Sequence, residues 1–114
     1  MAQLFARLAD IQQIAAAPAA ILTNPVNKKT VVRGLWLFNG NTSLETVKVY
    51  YVTVGNAADL AHQFAEIPLQ PKEALPVSFE GPGIPPLTAD GDTIQAETTT
   101  ASKVTVLING DQFG

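Results

Sequence analysis

The sequence predicts an all-β fold, an antiparallel β-sandwich of jelly-roll-like or Greek-key type with about seven or eight strands, preceded by a short N-terminal helix or arm. Three observations carry this. Runs rich in Val, Ile, Thr and aromatic residues recur at short intervals after Pro18, apolar and polar residues alternate within most runs, and Asn, Gly, Pro and Asp cluster between them.

At 114 residues the chain has the size of one domain. Residues 1–17 differ from the rest. Leu4, Leu8, Ile11 and Ile14 recur at helical spacing and Ala15, Ala16 and Ala17 favour a helix that Pro18 stops, so 1–17 is expected to be a helical lid or docking arm and 18–114 the sandwich. Arg7, Asp10, Gln12 and Gln13 interrupt the only candidate for a signal peptide, and the stretch is too short to cross a membrane.

The strands are expected in this order. Ala20–Thr23 is closed by Asn24, Pro25 and Asn27. Thr30–Asn39 follows, with Val31, Arg33, Leu35 and Leu37 on one face and Val32, Gly34, Trp36 and Phe38 on the other. Two largely apolar faces imply a sheet covered on both sides, by the N-terminal helix or by another subunit. The turn Asn39-Gly40-Asn41 then predicts an antiparallel hairpin with Glu45–Val54. After a polar loop at Gly55–Asp59 come strands at Gln63–Leu69 and Leu75–Phe79, separated by Gln70-Pro71-Lys72-Glu73. The proline-rich Gly81–Pro86 should cross between sheets, and Asp90-Gly91-Asp92 should turn into Thr93–Thr98. A last pair is completed by Lys103–Asn109 after a loop at Thr98–Ser102.

Composition narrows the function. Hydrophobic residues make up 46% and charged residues 15%, against roughly 25% charged in an average domain, a balance that favours contact with other protein copies. The net charge of −3 speaks against nucleic acid, whose phosphates require clustered Lys and Arg. Residues 1–33 carry Arg7, Lys28, Lys29 and Arg33 against Asp10 alone, whereas residues 34–114 carry three Lys against nine carboxylates. In a head-to-tail assembly that asymmetry could set register.

No catalytic, cofactor or metal site is expected. Cysteine is absent, and His62 is the only histidine, so no hydrolytic triad can form within one chain. Asp90-Gly91-Asp92 offers too few carboxylates for a calcium loop and reads as a turn. Asn41-Thr42-Ser43 fits the glycosylation pattern but also reads as a turn. Gly81 and Gly83 lack the strand, helix and Lys of a phosphate loop. Trp36, Phe38, Tyr50 and Tyr51 lie within strands, where core or interface packing is favoured over stacking on a sugar.

With the strands laid out, the chain resembles a recurring type of small β-sandwich protein found among the virion proteins of tailed bacteriophages. The resemblance rests on Ala20-Ile21-Leu22-Thr23-Asn24-Pro25, Lys29-Thr30-Val31-Val32-Arg33-Gly34-Leu35, Phe38-Asn39 with Asn41-Thr42, and Val47-Lys48-Val49-Tyr50. In the second half it rests on Leu69 with Pro71-Lys72-Glu73, Ala89-Asp90-Gly91-Asp92-Thr93-Ile94-Gln95-Ala96, and Thr100-Ala101-Ser102-Lys103-Val104-Thr105-Val106. It implies a non-enzymatic virion component, made in the host cytoplasm: a capsid decoration, neck or tail accessory protein, repeated by symmetry. Its partners would be copies of itself and other virion structural proteins, and no functional residues carry over from it; read from the residues themselves, Leu4, Leu8, Ile11, Trp36 and Phe38 are the expected docking or interface residues. The alternative is a module that binds a host-surface glycan or receptor through the loops at Gly55–Asp59 and Gly81–Pro86.

Overall fold

A computed structural model describes residues 3–79 and 86–113, with the side chains of residues 3–7 outside that description. The chain forms β1 (Gln3–Arg7), β2 (Gln12–Gln13), β3 (Ala19–Thr23), β4 (Lys29–Asn39), β5 (Glu45–Val52), a single 3-10 turn (Leu60–His62), β6 (Gln63–Leu69), β7 (Ala74–Ser78), β8 (Thr93–Thr98) and β9 (Val104–Phe113). Sheet A has the order β1-β9-β4-β7, with β2 also on β9, and sheet B the order β3-β8-β5-β6. All pairings are antiparallel. With β1 and β2 counted as one interrupted strand, the pairs β1–β9, β3–β8, β4–β7 and β5–β6 nest inside one another. A long hairpin has been folded over on itself, which is a jelly roll.

The core lies between the sheets. Leu35 and Leu37 of β4, Val47 and Val49 of β5, Leu69, Ile94, Ala96, Val104, Val106 and Ile108 form one buried cluster with Ile21, Leu22 and Leu87. Ile94 and Ala96 face inward on β8, as the alternation predicts, and leave Glu97 on the outside.

Three expectations are corrected. The first is the N-terminal helix. Within residues 3–17 the structure forms strands β1 and β2, and the N–H groups of Leu8 and Ile14 donate to the carbonyls of Ile108 and Val104, each at 2.9 Å. An isolated helix of this length is marginal in water. Pairing with β9 satisfies the backbone, and Ile14, only 1% exposed, enters the core.

The second correction concerns consecutive strands. β4 and β5 do not form a hairpin, and neither do β8 and β9, because in each pair the first strand and the second lie in different sheets. Each strand has an inward apolar row, and facing these rows across the core buries more apolar surface than pairing the strands side by side. The connection is fixed by Asn39, whose Nδ2 donates to the carbonyls of Ser43, Leu69 and Gln70 while its Oδ1 accepts from the Asn41 N–H. A buried amide whose two N–H groups are shared among three carbonyls, and whose oxygen is also engaged, holds the crossing in place.

The third correction is a change of face within β4. Val32 lies opposite Gly110 and Gly34 opposite Asn109, so Arg33 is the extra residue of a bulge. The bulge resets the alternation: Val32 joins Leu35 and Leu37 in the core, and Arg33 turns its guanidinium to buried Asp111, Nε to Oδ2 2.9 Å. The close approach requires Gly110, because a Cβ there would lie 2.0 Å from the Val31 carbonyl oxygen. Glycine alone fits.

Candidate functional site

Beyond the bulge, alternation in β4 is regular and sends Trp36 and Phe38 to the outside of sheet A, 49% and 38% exposed. Strand register sets their neighbours. Trp36 stands between Pro76 of β7 and Leu107 of β9, and Phe38 between Ala74 and Thr105, with Gln13 of β2 paired beyond Thr105. None of these residues is charged. With strands about 4.8 Å apart and residues rising about 3.3 Å along each, the apolar rows cover roughly 250 Å² of flat sheet. That is the size of an interface centre rather than of a whole interface, which takes about 800 Å² from each partner.

The outer face of sheet B is of another kind. Lys48 and Glu97 lie 4.0 Å apart, and the Tyr50 hydroxyl donates to Glu97 Oε1 at 3.1 Å. Burial, reinforced by Glu97 and the more distant Glu66 and Asp59, pushes the Tyr50 hydroxyl above its ordinary pKa. Tyr51 points the other way, packs against the core and donates to the Pro86 carbonyl. Sheet A is thus neutral and apolar around Trp36, whereas sheet B carries paired charges as well as Phe64, 37% exposed on β6.

Of the five residues expected to dock, Trp36 and Phe38 share this face. The other three are not brought together. Leu8 packs against the core, Ile11 is 63% exposed on the link between β1 and β2, and Leu4 falls in β1, outside the described side chains. Strand geometry separates residues that a helix would have aligned. Sequence spacing left Pro76 and Leu107 unflagged; register alone places them beside Trp36.

The ends of the sandwich are tied by polar side chains. At one, buried Asn24 donates from Nδ2 to the carbonyls of Lys28 and Ala89, both at 2.9 Å, and accepts from the Thr30 hydroxyl at 2.7 Å. Asp92 accepts from the N–H groups of Val54 and Ala89, and Asp90 from that of Asn27, so Asp90-Gly91-Asp92 serves as a turn. Asp59 accepts a 2.7 Å contact from His62 Nδ1, and the imidazole holds its carboxyl below the ordinary value. Lys28 and Lys29 share a cavity of about 450 Å³ with Asp90, Thr88 and Phe113. Of the basic residues in 1–33, Arg33 is engaged by Asp111. Residues 80–85, most of the predicted crossing and of one candidate glycan loop, lie outside the described residues, although β7 in sheet A and β8 in sheet B do require a crossing.

Among the described residues no group of three or more His, Cys, Asp or Glu side chains is placed to hold a metal, and no helix is long and apolar enough to cross a membrane. Compared with known families and with curated proteins, the chain matches no family model and no curated sequence.

Proposed function

We propose that this chain is a non-enzymatic structural subunit of a tailed-phage virion, a capsid decoration or a neck or tail accessory protein, that works by symmetric self-assembly and by docking on other virion proteins. The single observation that carries the assembly part is the row Pro76–Trp36–Leu107 on the outer face of sheet A, with Pro76 and Trp36 exposed and Leu107 half-buried, flanked by Phe38. Trp is enriched at the centres of interfaces because a large rigid ring gains much on losing water and gives up little conformational freedom. A jelly roll suits the role, being a fold shared by viral capsid subunits, although lectins use it too. The virion assignment itself rests on the resemblance of the strand motifs.

Absolute mass by light scattering over a range of concentrations tests the reading. A trimer, hexamer or larger ring that dissociates when Trp36 and Phe38 are replaced by Ser supports it. A strict monomer that also fails to bind purified phage particles lacking it overturns it.

A further inference from the structure

We propose that residues 3–14 form an exchangeable edge segment: in the assembled protein it leaves its own β9 and pairs with β9 of a second copy, with residues 15–18 as the hinge. This rests on the self-assembly reading for its purpose, but its geometry is independent of the sheet A face.

Among the described residues, β1 and β2 pair with one strand only, β9. What joins them to β3 is Ala15-Ala16-Ala17-Pro18, exposed throughout. Small exposed side chains lose no packing if the link straightens. Pro18 also restricts Ala17 to extended conformations, which favours a straight hinge over a tight one.

Between the segment and the other sheet lies a groove of about 390 Å³, lined by Leu8, Ala9, Asp10 and Gln12 and by Ala20–Thr23. Across it run the bond from Gln12 Nε2 to the Ile21 carbonyl, 2.8 Å, and, at its far end, the bond from the Thr98 N–H to the Ala15 carbonyl, 2.9 Å. The strong anchors are elsewhere: Ile14 in the core, Leu8 against it, and main-chain bonds to Ile108 and Val104.

Every one of those anchors can be made to a neighbour as well as to the segment's own sandwich. This argues for a second copy as the occupant. Only an identical segment carries Leu8 and Ile14 at the spacing the vacated edge accepts, and exchange of an identical element costs little because no contact type is lost. Dilution favours the closed monomer, and the high local concentration of a symmetric assembly favours exchange. A lid and an intersubunit arm are then two states of one segment.

The test uses a pair of positions facing into the core. Gln12 lies opposite Val106 in register, with its side chain reaching toward Ile21 of sheet B and Val106 buried, so packing between outer faces cannot join them. The chain has no cysteine of its own. Gln12→Cys protein and Val106→Cys protein are mixed, unfolded, refolded together at assembly concentration, oxidised and run on a denaturing gel without reductant. Exchange predicts disulfide-linked dimers containing one chain of each kind. The idea is overturned if the mixture gives none while a chain carrying both substitutions closes only on itself.

If either cysteine variant does not fold, deletion of Ala15, Ala16 and Ala17 provides the second measurement. Ile14 and Ala19 are then two residues apart, a reach of about 7 Å that cannot span the roughly 10 Å between sheets, so mass should shift from monomer to dimer or higher multiples. A folded monomer of unchanged mass would sink the proposal. Neither result depends on Trp36, so failure here leaves the sheet A interface standing, and the reverse.

Discussion

The backbone N–H of Thr100 donates a 2.8 Å hydrogen bond to Oε1 of Glu45, joining residues 55 positions apart in the chain. Oε2 of the same carboxylate accepts from Asn41 Nδ2 at 2.9 Å, and Glu45 is only 1% exposed. Burial by itself raises a carboxyl pKa, but the bonds from Asn41 and Thr100, with the charge of Lys103, hold this one below its ordinary 4.5. Because the folded value is the lower one, the stabilisation is fully present above about pH 4.5 and is lost as pH falls through the folded value. Glu45→Gln cannot accept at both positions and should destabilise the protein by about 1 to 3 kcal/mol at pH 7. Urea unfolding between pH 3 and pH 7 should show a shallower acid dependence in the variant. Equal slopes would remove Glu45 from the account of acid sensitivity.

Trp36 and Phe38 should contribute more to association than to folding. Replacing both by Ser is expected to weaken self-association at least about 30-fold, equivalent to about 2 kcal/mol, while shifting urea unfolding of the isolated chain by less than about 1 kcal/mol. Sedimentation across concentrations reads the first and fluorescence-independent circular dichroism the second. The reverse pattern would make the face a stability element.

Ile14 and Ile11 separate integral burial from exposure in the N-terminal segment. Ile14→Ala empties a core position and should cost about 2 to 5 kcal/mol, whereas Ile11→Ala should fall within about 0.5 kcal/mol of the parent. Chemical denaturation of the two variants decides it, and equal small effects would mean that the segment does not contribute to the core.

Gly110 and Gly55 make a second pair. Gly55 has a φ of +90° but open space around its Cα, so Gly55→Ala should cost about 1 kcal/mol from backbone strain alone. Gly110→Ala would drive a methyl into the Val31 carbonyl at the bulge and should cost about 3 kcal/mol or more. Thermal melts that rank them the other way would contradict the bulge geometry.

Alternation and turn residues place β3, β6, β7 and β8 within a residue or two of their observed limits. Those signals are local: a period of two and a Pro, Gly or Asn at each break are visible without knowing the partner strand. Pro68 and Pro76 are also informative, since a residue without an N–H is tolerated on an edge, and β6 and β7 are edges. The docking residues divide along the same line. Trp36 and Phe38 are legible because they alternate with Leu35 and Leu37, whereas Leu4, Leu8 and Ile11 looked like a helix face because three apolar residues fit helical spacing when no neighbour is considered.

What the sequence by itself determined is therefore the class of the fold, the position of most strands, and the apolar character of both faces of β4. What only the tertiary structure decided is which strands pair, which stack face to face, and where the N-terminal segment goes. Turn residues specify that the chain reverses but not whether it returns to the same sheet, and that choice is made by long-range contacts: Asn39 bonding to Leu69 and Gln70, Glu45 bonding to Thr100, and Ile14 filling a core built by residues far along the chain.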